Sequence, residues 1–213
     1  MKIALNIFTN STASSPSTDI IRRTYDSFCD TFGYNYPVTV WCDIHPNIDK
    51  FPEYITRLKK IFPEVVTTNS LSDGYSKSVK YTDTEFLFQL EGDWIFNKDL
   101  IKHSLEEICD EMEFRGLYHF RFNKRPNVVA LWDTELKEFN GNDVVYCETP
   151  CLSNNPHIIA VKKYREICLP RLKLESGSKG IEEHLTNKGL TGAIYGGKNY
   201  PSCIIHQDGK FSK

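Results

Sequence analysis

Residues 86–96 read Phe-Leu-Phe-Gln-Leu-Glu-Gly-Asp-Trp-Ile-Phe, an apolar run of strand length that contains two carboxylates. The run is too short for a membrane helix and has polar flanks, so we interpret it as a buried central strand of an α/β sheet. Residues two apart in an extended backbone project from one face, so Glu91 and Asp93 are expected to reach one site. Gly92 removes a side chain where a ligand or metal would approach the backbone.

Two like charges at the end of an apolar strand are costly unless a cation or a hydrogen-bond donor compensates them. A divalent ion that carries a diphosphate is a suitable compensator, because Mg²⁺ and Mn²⁺ prefer hard oxygen ligands. The alternative is an acidic turn that closes a strand, which is the commoner meaning of an isolated Glu-Gly-Asp.

The overall composition is that of an ordinary globular domain. The chain has 213 residues, of which 40% are hydrophobic and 25% charged, and its formal net charge is −2. Such a length can bury one full core, and the charge balance gives no support for a nucleic-acid partner. We find no segment of transmembrane length and no secretory signal, so a cytoplasmic location is expected. The seven cysteines lack the spacing of a disulfide framework, which predicts reduced thiols.

The first half of the chain alternates strands and helices. Apolar runs at 2–8 and 38–42 flank a helical pattern that ends at Gly33, and this order predicts a right-handed crossover and a parallel sheet. In such sheets ligands bind beyond the carboxyl ends of the strands. The polar residues expected at that edge are Thr9, Asn10, Asp43, Glu91 and Asp93. Taken singly, Asp43 is more often a turn residue and Thr9 a hydrogen bonder at a strand end.

Two lysines precede the central run. Lys77 and Lys80 are three residues apart and share a face if this segment is helical. A polyphosphate bound near Asp93 would need cationic partners. The more usual meaning of such a pair is two solvated side chains.

The second half of the chain is expected to extend the sheet. A helix capped by Asn97 or Asp99 precedes a strand at 117–122 and a basic turn at 124–127. Residues 128–133 and 144–146 are expected to add antiparallel strands at the far side of the sheet. A last strand at 202–205 leads to His206, although a lone histidine is more often a surface or core residue.

With an acidic X-Gly-Asp at the end of the central strand, this order of elements resembles the GT-A glycosyltransferases, whose Asp-X-Asp motif holds a nucleotide-diphosphate sugar through Mn²⁺ or Mg²⁺. The resemblance is clearest over residues 2–96. It implies one GT-A (Rossmann-like) domain over residues 1–213, with a nucleotide-binding half at 1–96 and an acceptor-binding half at 97–213. The implied sheet is mostly parallel and flanked by helices, with a smaller antiparallel portion in the C-terminal half.

The resemblance also implies roles for single residues. Asp93 matches the last acid of the motif, the direct metal ligand, and Glu91 matches the first acid, near the ribose or the water shell of the metal. His206 stands where many members place a late histidine as a further metal ligand. Around the nucleotide the resemblance implies Thr9, Asp43, Gly74 and Lys77, and Asn10 and Gly92 complete the predicted set.

The segment Ile181-Glu182-Glu183-His184-Leu185 is similar to the acidic helix start beneath the acceptor in this family. Glu182 is therefore the first candidate for a general base, and Glu183 the second. Acids in a first helical turn are also favoured by the helix dipole alone.

Two features depart from the family pattern. The first acid is Glu rather than Asp, and Lys77 stands where many relatives have Arg, so it cannot form the bidentate hydrogen bonds of a guanidinium. The chain is also similar to compact single-domain enzymes with Glu-Gly-Asp-Trp that occur in large DNA viruses and phages, including algal viruses that glycosylate their capsid proteins.

The implied reaction is metal-dependent transfer of a sugar from a nucleotide-diphosphate sugar, a UDP-sugar first of all, to a hydroxyl of a glycan or glycoprotein. Two other classes stay open. A nucleotidyltransferase acting on sugar phosphates would share the frame and the metal acids, although we find no Gly-rich phosphate loop after the first strand. A noncatalytic carbohydrate- or nucleotide-binding module would account for the 13 Phe, 11 Tyr and 3 Trp.

Overall fold

A computed structural model describes residues 2–10, 17–43, 51–141, 144–173 and 179–207. The strands are β1 (Ile3–Thr9), β2 (Val38–Asp43), β3 (Glu64–Thr68), β4 (Phe86–Glu91), β5 (Trp94–Phe96), β6 (His119–Arg121), β7 (Lys137–Asn140), β8 (Val145–Thr149), β9 (His157–Ala160), β10 (Gly192–Tyr195) and β11 (Ile204–His206). The helices are α1 (Asp19–Phe32), α2 (Phe51–Leu58), α3 (Leu71–Tyr81), α4 (Leu105–Arg115), α5 (Val161–Ile167) and α6 (Lys179–Leu185), and Leu169–Arg171 forms a short 3-10 turn.

Nine of the described strands form one mixed sheet in the order β3-β2-β1-β4-β9-β6-β10-β8-β7. β1 pairs in parallel with β2 and β4, and β2 pairs in parallel with β3, which confirms the predicted parallel frame. β8 and β9 run against the other seven strands. β5 and β11 form a separate antiparallel pair, called the small sheet below. The mostly parallel sheet with a smaller antiparallel part is the fold class that we expected.

Strand β4 is central because both of its faces are covered. Phe88 and Leu90 belong to the core formed with α1, α2 and α4, whereas Leu87 belongs to the core formed with α3, α5 and α6. Side chains alternate along a strand, so Gln89 and Glu91 lie on the same face as Leu87. Full burial of a Phe or Leu side chain stabilises the fold by roughly 1.5–3 kcal/mol. The α3, α5 and α6 face therefore carries the polar residues of β4.

The central strand stops at the two carboxylates as expected, but the expectation of an extended backbone from Glu91 to Asp93 was wrong. β4 ends at Glu91. Gly92 and Asp93 then form a turn, and β5 pairs with β11 instead of continuing the large sheet. The Gly92 N–H donates to the carbonyl of Phe8 at 2.8 Å, which is where pairing with β1 stops. Glu91 and Asp93 are therefore close through a turn rather than through an extended backbone.

Two further boundaries differ from the prediction. Helix α4 begins after Ser104, whose hydroxyl accepts from the Glu107 N–H in a capping box, so neither Asn97 nor Asp99 caps it. Residues 128–133 are irregular, and the antiparallel strands at the far edge are β7 and β8. The strand predicted at 128–133 was wrong, and capping and strand pairing decided where these elements lie.

All seven cysteines are buried and none of them forms a disulfide, in agreement with the prediction of reduced thiols. Among the described helices, none combines the length and the apolarity that crossing a bilayer would need.

Candidate active site at the carboxyl edge of the sheet

Four titratable side chains from three parts of the chain meet beyond the carboxyl end of β4. Asp93 Oδ2 lies 2.9 Å from His206 Nε2. The carboxylates of Asp93 and Glu182 are close enough to Glu91 to raise its pKa, and His206 is close enough to lower it. The structure thus brings together the two predicted metal ligands, the first acid of the motif and the first candidate base.

The small sheet positions Asp93 and His206. His206 is paired with Trp94, and the Gln207 N–H donates to the carbonyl of Asp93 at 2.7 Å. The rings of Trp94 and His206 lie with their centroids 4.5 Å apart. Asp93 Oδ1 is buried and accepts no hydrogen bond from any residue that the structure describes. This carboxylate therefore has one oxygen that no described residue uses.

Glu91 has a strongly perturbed carboxyl group. Its pKa is raised to about 8, first by burial and then by the neighbouring carboxylates of Asp93 and Glu182, against the opposing effects of His206 and the Asn154 amide. The residue keeps some exposed surface, but its carboxyl lies among densely packed neighbours. The Asn154 amide approaches it without reaching hydrogen-bond geometry. A charged Glu91 would be favoured by an added cation or hydrogen-bond donor.

Helix α6 presents Glu182 to this cluster. Ile181 and Leu185 are buried in the core with α3 and α5, and they anchor the helix. Glu182 Oε1 accepts a hydrogen bond from the Asn154 N–H at 2.6 Å. Glu183 is exposed. Of the two predicted bases, the structure places Glu182 beside the motif acids.

The donor set at this edge fits a hard divalent ion that is shared with a ligand. Within the described ranges, no group of three His, Cys, Asp or Glu side chains could enclose a metal, so Asp93 and His206, the two predicted ligands, would have to share any ion with a bound ligand. Mg²⁺ usually binds through one or two carboxylates together with water and substrate phosphates. The unpartnered Asp93 Oδ1 suits that arrangement.

The residues predicted at the nucleotide meet where β1 and β2 end. Thr9 and Cys42 are paired in register, which sets the two strand ends side by side. Asn10 Nδ2 donates to Asp43 Oδ2 at 3.3 Å, and the hydroxyls of Thr9 and Tyr54 are 2.7 Å apart. Tyr54 was missed by the sequence analysis because an aromatic residue in a helical pattern is typical of core packing.

Lys77 has a partner within its own helix. Its Nζ donates to Asp73 Oδ2 at 2.8 Å, and the Asn69 N–H donates to the same oxygen. Burial acts to raise the pKa of Asp73, but these hydrogen bonds hold it below its ordinary value. Contact of Lys77 with a diphosphate stays a prediction, and it would have to compete with this ion pair.

The two glycines of the predicted nucleotide site are packed against protein atoms. A Cβ at Gly74 would lie 3.1 Å from Thr68 Oγ1, and a Cβ at Gly92 would lie 3.3 Å from the carbonyl of Phe8. Close packing of α3 on β3, and of the β4 turn on β1, is therefore sufficient to explain a small residue at both positions. Their ligand contacts stay predictions.

Lys124 was not among the predicted site residues. Its Nζ lies 5.3 Å from the ring centroid of Trp94, the ring that also contacts His206. It makes no ion pair with any described residue. Its turn is held by Ser202, whose hydroxyl donates to the Lys124 carbonyl at 2.9 Å. The signal that could have identified Lys124 is a basic turn directly after a strand that ends at the ligand edge.

Two concavities lie near the small sheet and β4. A narrow cleft beside Glu91 reaches between β4, α3 and α6, and its volume of about 10 Å³ is close to that of one water molecule or one hydroxyl group. A larger, open groove of about 520 Å³ lies between α1 and the outer side of the small sheet, and none of the site residues lines it. We assign the site to the cleft side, because the perturbed Glu91 carboxyl and the unpartnered amide atoms of Gln89 and Asn154 line the cleft and none of them lines the groove.

No protein-family model and no curated protein matches this sequence. Solved structures resemble its fold. TarS 1–349 of S. aureus has a TM-score of 0.57 at 12% identity, over 97% of this chain and 60% of the TarS chain. The complex of TarS 1–349 with UDP-GlcNAc has a TM-score of 0.54 at 11% identity, over 96% and 58%.

A third structure is matched over most of its own length. CMP:2-keto-3-deoxy-manno-octonic acid synthetase complexed with CTP has a TM-score of 0.55 at 12% identity, over 92% of this chain and 90% of the synthetase chain. This chain spans less than two thirds of the TarS chains. At these identities the likeness concerns the fold, and the chain has a GT-A-like fold.

Proposed function

We propose that this chain is a metal-dependent glycosyltransferase that transfers a sugar from a nucleotide-diphosphate sugar to a hydroxyl of a glycan or glycoprotein acceptor. The observation that carries the proposal is the meeting of Asp93, His206, Glu91 and Glu182 at the carboxyl edge of a GT-A-like sheet. A UDP-sugar is the first candidate donor, since a neighbour of the same fold binds UDP-GlcNAc. A viral capsid glycan as acceptor rests on the sequence resemblance alone.

In the proposed reaction Asp93 and His206 would hold a Mg²⁺ or Mn²⁺ ion, whose chemistry would be to offset negative charge on the leaving diphosphate. Lys124 adds a positive charge on the Trp94 side of the site. Asp43, Asn10 and Thr9 contact the base and ribose from the ends of β1 and β2.

Glu182 is the general base in the inverting form of this reaction. The Asn154 N–H holds its Oε1, and an ionised carboxylate that accepts one hydrogen bond has further acceptor capacity for a proton. The acceptor hydroxyl would have to bind within hydrogen-bond reach of this carboxylate. A retaining reaction does not need such a base.

Nucleotidyl transfer to a sugar phosphate is the second candidate. It is favoured by one observation, the match over 90% of a synthetase that is complexed with CTP. Residues 10–18, between the first strand and its helix, contain no glycine, and the class usually binds phosphates with a Gly-rich loop there.

A substrate panel tests both functions. The purified chain is incubated with UDP-GlcNAc, UDP-glucose, UDP-galactose or GDP-mannose, and separately with CTP or UTP and a sugar phosphate, each with Mn²⁺ and with EDTA. Mn²⁺-dependent release of free sugar and nucleoside diphosphate supports the glycosyltransferase. Pyrophosphate release supports the nucleotidyltransferase instead, and binding without turnover indicates a noncatalytic module. Absence of any nucleotide-sugar binding overturns the proposal.

A further inference from the structure

The cleft beside Glu91 contains buried amide groups with unused hydrogen-bonding capacity. Asn154 is 8% exposed, and neither Nδ2 nor Oδ1 of its side chain has a hydrogen-bond partner among the described residues. Gln89 is 1% exposed, its Nε2 donates to Ser78 Oγ at 3.2 Å, and its Oε1 has no partner there. Both side chains line the cleft together with Glu91.

These unused atoms can accept a partner beyond the described residues, such as a ligand. Leaving a buried amide unpaired costs about 1–3 kcal/mol, and most buried polar groups in folded proteins have a partner. Two carbonyl oxygens, of Asn154 and Gln89, need a hydrogen-bond donor, while the Asn154 NH₂ group lies beside the Glu91 carboxyl and acts to lower its pKa. A hydroxyl group is donor and acceptor at once, and a row of hydroxyls is what a sugar presents.

The backbone at Asn154 is held in place before any ligand binds. Its backbone N–H donates to Glu182 at 2.6 Å. Three residues later His157 is fixed by the hydroxyl of Tyr75 at 2.7 Å and by the carbonyl of Asn155 at 2.7 Å. A side chain on so constrained a segment loses little freedom on binding, which favours discrimination between ligands.

We infer that the Asn154 amide, with the side-chain oxygen of Gln89, hydrogen-bonds a hydroxyl of the transferred sugar and so discriminates between donor sugars. The inference rests on the proposed function and adds the part of the substrate that the cleft recognises. Asn154 lies between Glu91 and Glu182, so a sugar that inserts one hydroxyl into this water-sized cleft stands between the motif acids and the candidate base.

Paired affinities for UDP and UDP-sugars test this role, because UDP lacks the sugar. Dissociation constants for UDP, UDP-GlcNAc, UDP-glucose and UDP-galactose are measured by calorimetry in Mn²⁺ for the wild type, Asn154→Ala and Asn154→Leu. Asn155→Ala is the matched control, since Asn155 is the adjacent amide and does not line the cleft. We expect both Asn154 variants to keep UDP affinity within about twofold and to weaken the preferred UDP-sugar about tenfold. Asn155→Ala should leave both unchanged.

The alternative is that the amide binds a structural water molecule. In that case Asn154→Leu would lower the melting temperature of the free protein and would leave the ratio of UDP-sugar to UDP affinity unchanged. The sugar-binding role predicts that Asn154→Leu does not lower the melting temperature, because an apolar side chain of similar size removes an unpaired polar group from the free protein. It also predicts that the affinity for the UDP-sugar falls relative to that for UDP. An equal loss for UDP and UDP-sugar also overturns the inference. A wild type that binds neither nucleotide refutes the proposed function itself.

Discussion

The Asp93 carboxylate lies 2.9 Å from the His206 imidazole, measured from Oδ2 to Nε2, and the small sheet holds the two side chains together. Trp94, the residue after Asp93, is paired with His206 in that sheet. Asp93 also follows the end of β4, so the pair stands at the carboxyl edge of the large sheet beside Glu91. A strand near the C-terminal end of the described residues thus completes a site that begins at the central strand.

Asp93→Asn should abolish Mn²⁺-dependent binding of the nucleotide sugar. The change removes the charge of a proposed metal ligand, and even partners outside the first ligand shell are worth about 10–100-fold in metal affinity. We expect a loss above about 100-fold in Mn²⁺ by calorimetry, with an unchanged circular dichroism spectrum. Asp99→Asn, on an exposed residue close by, is the control. Equal binding by wild type and Asp93→Asn would exclude Asp93 from the site.

Glu182→Gln should separate the two stereochemical forms of the reaction. The amide oxygen can still accept from the Asn154 N–H, so the local structure is retained while the base is lost. An inverting enzyme should lose about 10²–10⁴-fold in kcat, the usual contribution of a positioned acid or base. Glu183→Gln, at an exposed neighbour, should be active. Full activity of Glu182→Gln would show that this carboxylate is not a base.

Lys124→Met should weaken binding of UDP and leave binding of uridine unchanged. The side chain keeps its length and loses the charge that would face the diphosphate. A hydrogen bond to a charged group contributes about 1.5–3 kcal/mol, so a loss of about tenfold or more is expected for UDP. Lys137→Met is a matched control, because Lys137 also stacks on an aromatic ring, Phe139 at 4.7 Å, but in the edge strand β7. If both variants bind UDP as the wild type does, Lys124 has no phosphate role.

Folding stability should fall with pH below neutrality because of buried histidine. Burial is the main cause that lowers the pKa of His157 to about 4, against the opposing hydrogen bond to the Asn155 carbonyl. The ordinary value is about 6.5, so between pH 6.5 and 4 the unfolded chain binds more protons than the folded chain. This stabilising contribution is complete above about pH 6.5 and is lost as pH falls through about 4, at up to about 1.4 kcal/mol per pH unit.

Urea unfolding of the wild type and His157→Gln at pH 7, 5.5 and 4.5 measures this effect. The variant lacks the titrating ring, so its free energy of unfolding should change less with pH. His119, stacked on His157 with ring centroids 4.4 Å apart, also has a lowered pKa and should supply part of the remaining slope. Identical slopes for the two proteins would contradict the assignment to His157.

Much of the frame could be read from the sequence because its signals are local. The continuous apolar runs of β1 and β4, and the helical spacing in α1, depend on a few neighbouring positions. The end of β4 at an acidic turn was also predictable, and so was the convergence of Thr9, Asn10 and Asp43 at one edge, which follows from parallel pairing alone. The break between β4 and β5 was missed, because the apolar run continues through the turn while the pairing partner changes.

The sequence by itself determined a mostly parallel α/β sheet with the acids of residues 91–93 at its ligand edge, since hydrophobic periodicity and strand direction are properties of short segments. Tertiary structure alone decided which distant side chains join those acids. Glu182 rather than Glu183 lies beside Glu91, His206 is 2.9 Å from Asp93, and Lys77 is engaged by Asp73. The physical reason is that such contacts depend on the register of the small sheet and on how α6 packs, and no local pattern encodes either.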